Sequence, residues 1–401
     1  MIISKLYRAF ITNDFSFIDQ DASFPENIRA IISTTNNDAV AFPETNKDAP
    51  WIIPAIKGPR YFFHSKKLAV ESLINKGRST VAIDWSFSFD SNVASHVKGY
   101  VYNKAINESD LSRVKKLLEL KEKANLQIDL MPYLIENLAR YSDHAREPII
   151  KTIAALKSLD YINWEKFYSD SSTLEFIKDF SSIEKEAENT YDSLADEDEI
   201  RNQLLKQRFS HAFLLELSIQ WIKNKKDIKN VFSSMIDFSI FNLGKLPLYE
   251  LSIAWYFLEN YTNAEAVRFF GPLLGLSRNL HKDLNGMAWD LCHVRMLETM
   301  ATSYKNEAFF LPFFVSFDNR LVDILNVNKT ILVLIDDENR LVQSVRELDI
   351  LTQEAINKNL SDEARRRMTP EAIKSRISSP LDGECIGTIV SEKEYELSKL
   401  L

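Results

Sequence analysis

The stretch STVAIDWSFSFDSN, Ser79 to Asn92, decides how the fold is read. Its alternation puts Ile83, Trp85, Phe87 and Phe89 on one side of an extended chain and Ala82, Asp84, Ser86, Ser88 and Asp90 on the other. A period of two is that of a β-strand, whose successive side chains point to opposite faces. The strand ends by handing the chain an aspartate, a serine and an asparagine. An aspartate there can cap a following helix. In a parallel sheet it can instead project beyond the carboxyl ends of the strands, where ligands gather.

Outward from this strand, helical patterns cover Glu108 to Lys123 and Met131 to His144, the second with Pro132 in its first turn. FFLPFFVSFDNRL reads as a buried strand that delivers Asp318 as SFSFDSN delivers Asp90, and TILVLIDDENRL reads as a further strand and turn. Strands separated by helices imply an α/β fold with a parallel sheet. Residues 150–285 are helical in pattern and read as a large all-helical insertion. After a break at Gly286, MAWDLCHVRMLETMAT has an apolar stripe of Met287, Leu291, Val294 and Leu297. Asp290, expected near the start of that helix, lies roughly 45° from the stripe's centre and so faces inward. The expected organisation is an N-terminal α/β lobe over 1–78, a central domain over 79–350 containing the insertion, and a charged C-terminal helix or tail over 351–401.

The bulk composition narrows the function. The chain has 401 residues, ample for a sizeable core, with 45% apolar and 26% charged residues, as in ordinary globular proteins. Only 9 glycines are present, and neither GxxxxGK nor GxGxxG occurs, so a P-loop or Rossmann phosphate cradle has no support. The formal charge of −8 restricts any nucleic-acid contact to local basic groups. Two cysteines, Cys292 and Cys385, give neither a zinc spacing nor a disulfide framework, which fits a reducing, cytoplasmic setting. MIISKLYRAF is interrupted by Lys5 and Arg8, so neither a signal peptide nor a membrane span is expected.

The order FDSNV, PYLIENL, MAWDLCHVRMLE and FVSFDNRL, followed by ILVLI, resembles the PIN-domain (PIN-like) nucleases over roughly residues 79–150 and 285–340. The resemblance implies a PIN-like core in which Asp90, Glu136, Asp290 and Asp318 are the catalytic acids. Asp90, Asp290 and Asp318 would hold Mg²⁺ or Mn²⁺, and Glu136 would be a ligand or would orient water. Asp84 and Glu250 are alternates for the strand and helix acids, and Ser91, Asn92, Asn319, Arg320 and Arg295 would orient these groups or meet a substrate phosphate. The implied activity is metal-dependent, endonucleolytic hydrolysis of RNA, with a protein regulator and a toxin or defence role as further expectations.

The residue types suit that chemistry. Carboxylates alone repel a phosphodiester, whereas a bound divalent cation reverses the sign of the site and activates water. Hard oxygen donors without His or Cys suit Mg²⁺. The competing reading is a non-catalytic helical interaction protein, or a degenerate PIN-like RNA-binding protein, in which the aspartates only cap helices.

Overall fold

The computed structural model describes residues 2–14, 25–37, 39–41, 49–140, 146–194, 198–224, 227–275, 277–300, 308–339 and 341–401. The chain divides into two compact units: Met1–Ile200 with Met296–Val322 and Lys329–Val345, and Arg201–Arg295 with Asp323–Asn328 and Arg346–Leu401. The fold is mixed α/β with a parallel portion.

The first unit holds two sheets. Strands β1 (Ile28–Thr34), β2 (Val40–Ala41), β3 (Ile52–Pro54), β4 (Arg60–Ser65), β5 (Ile83–Phe89), β6 (Gln127–Asp129), β7 (Phe309–Val315), β8 (Thr330–Asp336) and β9 (Leu341–Arg346) are ordered β2-β4-β1-β8-β9 and β3-β7-β5-β6. In the second sheet β6 and β7 run parallel to β5, in register Ser88↔Asp129 and Phe89↔Val315, and β3 closes the far edge antiparallel to β7. The β5 to β6 connection carries the helices Ser91–Val101 and Glu108–Ala124, the crossover that a parallel pair requires.

Burial explains the layers. Ile28, Ala30 and Ile32 of β1 pack with Leu332 against Leu6 and Ala9 of the helix Ile2–Thr12. Ile31, Phe63, Val333 and Ile335 enter the main core with Phe87, Phe89, Phe313 and Val315 from the other sheet. Each such side chain removed from water stabilises the fold by about 1.5–3 kcal/mol. The first 78 residues, read from the sequence as a lobe of their own, therefore supply strands to both sheets.

Two expectations are corrected. The strand Thr330–Asp336, expected to extend the parallel sheet, pairs antiparallel to β1, with Ile31 opposite Val333. An apolar run buried on both faces fits either sheet, so its pattern cannot name its neighbour. The helix Leu280–Met300 also passes through Gly286 without a break. A lone glycine costs only about 1 kcal/mol there, which burial of Leu280, Leu284, Met287 and Leu291 readily offsets. Asp290 is consequently a helix-interior residue.

The second unit is helical, with Asp198–Lys223, Ile228–Phe241, Leu248–Asn260 and Leu280–Met300 as its longer elements and the C-terminal helix Gly383–Ser398. The C-terminal residues are integral to it: Ile356, Ala364, Ile386 and Leu397 are buried, and Lys393 pairs with Glu216 at 2.7 Å. The helical stretch 150–285 is divided, since Ile183 and Ala187 are buried in the first unit's core. Among the described residues, no helix is long and apolar enough to cross a membrane.

Candidate functional site

The apolar face of β5 lies in the core, and its other face, Ser86, Ser88 and Asp90, is buried as well. A polar face out of water must find partners. Ser88 and Asp90 find them along the carboxyl ends of the three parallel strands, while the Ser86 hydroxyl is buried without one among the described residues. The Ser88 hydroxyl donates to Asp129 Oδ2 at 2.8 Å, and Ser316, directly after β7, donates to Asp90 Oδ2 at 2.5 Å. The Asp90 backbone N–H reaches Val315 O at 3.1 Å, continuing the ladder by one residue and bringing the ends of β5 and β7 together.

Asp90 is 9% exposed. Its Oδ1 accepts from the Asn92 N–H at 2.7 Å, so it is the N-cap of the helix Ser91–Val101. Burial pushes its carboxyl up to about 6, and the negative charges of Glu136 and Asp318 push in the same direction. The Ser316 and Asn92 hydrogen bonds oppose this without cancelling it.

Glu136, from the helix Met131–Arg140, is buried and accepts from Ser91 Oγ at 2.7 Å. Ser91 accepts in turn from Asn137 Nδ2 at 3.0 Å, and the same amide donates to Tyr133 O at 2.8 Å. Asp318 is half-buried and opens the helix Asn319–Val327, accepting from the Arg320 N–H at 2.8 Å and the Arg320 guanidinium at 3.2 Å. Its own N–H donates to Ser316 Oγ at 3.1 Å, so one serine connects both aspartates. Asn92 and Asn319 are exposed.

Asp129 and Ser316 are the site groups that sequence reasoning missed. Asp129 caps the helix that carries Glu136, accepting from the Met131 N–H at 3.0 Å, and its burial raises its carboxyl above the ordinary range. A signal for the serines was present: both strands end in the same triplet, Ser88-Phe89-Asp90 and Ser316-Phe317-Asp318, and both serines donate to an aspartate.

Asp84 sits near the opposite end of β5, about 20 Å from Asp90 at the rise of an extended chain, and accepts from the Trp85 N–H. Asp290, Arg295 and Glu250 belong to the second unit. There, Glu250 is fully buried, accepting from Ser210 Oγ at 2.8 Å and pairing with the Arg295 guanidinium. A cavity of about 1030 Å³ is lined by residues such as Asn36, Tyr61, Glu71, Arg78 and Val81, the last two just before the amino end of β5, and by none of the acids at its carboxyl end.

The donor set is oxygen only, which suits Mg²⁺ or Mn²⁺ in kind. Among the described residues, no group of three or more Asp, Glu, His or Cys side chains is arranged to hold a metal ion. No protein-family model, curated protein or solved structure matches the chain.

Proposed function

We propose that the acid edge hydrolyses phosphodiester bonds in RNA, endonucleolytically and with Mg²⁺ or Mn²⁺, as the resemblance to PIN-like nucleases implies. One observation supports this most: buried Asp90 is held up to about 6 with the charges of Glu136 and Asp318 beside it. The three acids come from a strand end, a helix and a neighbouring parallel strand end. Such an edge repels anions until a cation joins it, and then attracts them. Asp90 and Asp318 would hold the cation, with Glu136 as a ligand or water-orienting acid. Bound there, it would supply an activated water and stabilise the leaving oxygen. Ser316 and Ser91 fix the Asp90 and Glu136 carboxylates by hydrogen bonds.

The observed capping favours a second reading. Asp90 and Asp318 both accept from helix-starting N–H groups, which is sufficient structural reason for an aspartate at each place. The test is cleavage of total RNA and of single-stranded DNA with Mg²⁺, Mn²⁺ or EDTA, by wild type and by Asp90→Asn, Asp318→Asn and Asp290→Asn. Metal-dependent cutting lost in folded Asp90→Asn and Asp318→Asn supports the nuclease. Asp290→Asn asks whether the remaining acid of the sequence order takes part. No cutting by wild type under any metal leaves the caps as the explanation.

A further inference from the structure

Beside the acid edge stands a cationic group with no part in the preceding account. Phe317, between Ser316 and Asp318, is packed edge-on against Trp51 at 5.3 Å, with the His96 ring tilted against it at 5.8 Å. The Arg113 guanidinium lies 5.4 Å from the centre of the same ring. Arg113 projects from the helix Glu108–Ala124, and His96 from the helix that Asp90 caps. Asp110 stands between them, 3.5 Å from His96 Nε2 and 3.6 Å from Arg113 Nη1.

A separation of 3.6 Å is an ion pair without a hydrogen bond. Among the described residues, none of the five guanidinium donors of Arg113 is hydrogen-bonded. Its side chain is still 36% exposed. The ring limits where the guanidinium sits, so little freedom remains to be lost when an anion binds, and the planar fork matches two oxygens of a phosphate. Phe317 itself, 7% exposed, offers no face to a base.

We infer that Arg113 binds a phosphate flanking the scissile one in a nucleic-acid strand, held ready for it by Phe317. The inference rests on the phosphodiester reading of the neighbouring acids. A sequence-independent contact to backbone phosphate follows, since the guanidinium meets only phosphate oxygens.

The test is fluorescence anisotropy of a labelled oligouridylate and the matching oligothymidylate with Ca²⁺ in place of Mg²⁺ and Mn²⁺, so that a hard cation can neutralise the acid edge while gels confirm that the probe stays intact. Wild type, Arg113→Lys and Arg113→Ala are compared, with thermal melts confirming the fold. Arg113→Ala should weaken both probes about tenfold or more. Arg113→Lys should recover only part of this, because an ammonium keeps the charge and loses the fork. The slope of log affinity against log salt should fall by about 0.7 in Arg113→Ala, the share of one single-strand phosphate. Equal binding by wild type and Arg113→Ala, or no binding by wild type, would overturn the inference. Metal-dependent cleavage alongside unchanged binding sinks the phosphate contact and spares the nuclease. Arg113-dependent binding without cleavage under any metal does the reverse.

Discussion

The Ser316 hydroxyl donates to Asp90 Oδ2 at 2.5 Å across 226 residues of chain, joining the carboxyl ends of two parallel strands at one carboxylate. Ser316 Oγ also accepts from the Asp318 N–H, so a single buried side chain sets the spacing of the two strand-end acids. Ser316→Ala leaves Asp90 without its hydroxyl donor and the Asp318 N–H without an acceptor. It should cost about 1–3 kcal/mol of stability. The loss should be larger near pH 8 than near pH 5, because the missing hydrogen bond favoured the charged form of Asp90. Urea denaturation at the two pH values reads both effects, and an equal loss at each would separate Ser316 from the Asp90 charge.

Asp90 should be costly to stability and required for activity. Its carboxyl titrates at about 6 in the folded protein against an ordinary value of 3.8. The folded state therefore binds this proton more tightly than the unfolded state. The Asp90 contribution to stability falls as pH rises from about 4 through 6 and is flat above that. The charged form is penalised by up to about 3 kcal/mol at neutral pH. Asp90→Asn keeps an acceptor for the Asn92 N–H and removes the charge. It should unfold at a higher temperature than wild type near pH 7.5, with little difference near pH 4. Divalent cation should raise the midpoint of wild type more than that of Asp90→Asn, by linkage to folded-state binding. Calorimetry with and without Mg²⁺ tests both, and a less stable Asp90→Asn at neutral pH would place the capping role above the charge.

The Ser91 hydroxyl holds Glu136 from one side and the Asn137 amide from the other. Ser91→Ala should lower metal-dependent turnover by about 10- to 100-fold, as loss of a supporting hydrogen bond to a metal-site acid does. Stability should change by about 1 kcal/mol at most, because Ser91 is only half-buried. Ser91→Thr restores the hydroxyl and should recover activity. Kinetics and thermal melts on the same samples separate the two effects, and activity that merely follows stability would make Ser91 a packing group.

Local pattern made the site's strands legible, and chain-distant pairing concealed the rest. The alternation Ile83–Phe89 announced β5 and its Asp90 terminus, and Phe309–Val315 was equally plain as an apolar strand ending near Asp318. The helix Met131–Arg140 was legible from its apolar spacing, and residues 141–144 of the expected helix lie outside the described residues. Asp129 was not found because β6 is only three residues long, too short to show a period. Strand β8 was recognisable as a strand, but its partner β1 is some three hundred residues away, and an all-apolar run carries no mark of its neighbour. Asp290 was misplaced within its helix because Gly286 was read as punctuation, whereas burial on both sides of it carries the helix through.

Arg29 links the two sheets of the first unit and should govern its stability without touching the acids. It is 1% exposed, and its Nε and Nη2 meet the Asp337 carboxylate at 2.6 and 2.7 Å beyond the end of β8. Nη1 donates to the Ala308 carbonyl before β7, and the guanidinium lies 5.4 Å from the Phe309 ring centre. Breaking a buried pair from one side typically costs about 3–5 kcal/mol. Asp337 is 40% exposed and can rehydrate, so Arg29→Met should cost less, about 2–3 kcal/mol, with part of that from the stranded Ala308 carbonyl. Asp337→Asn should be milder, because it keeps an acceptor for the guanidinium. The pair joins the antiparallel sheet to the amino end of β7, whereas Ser316 and Asp318 follow its carboxyl end. Arg29→Met should therefore lower the unfolding midpoint and leave the turnover of the folded fraction near wild type. A turnover loss well beyond the unfolded fraction would show that the sheet junction controls the geometry of the acids.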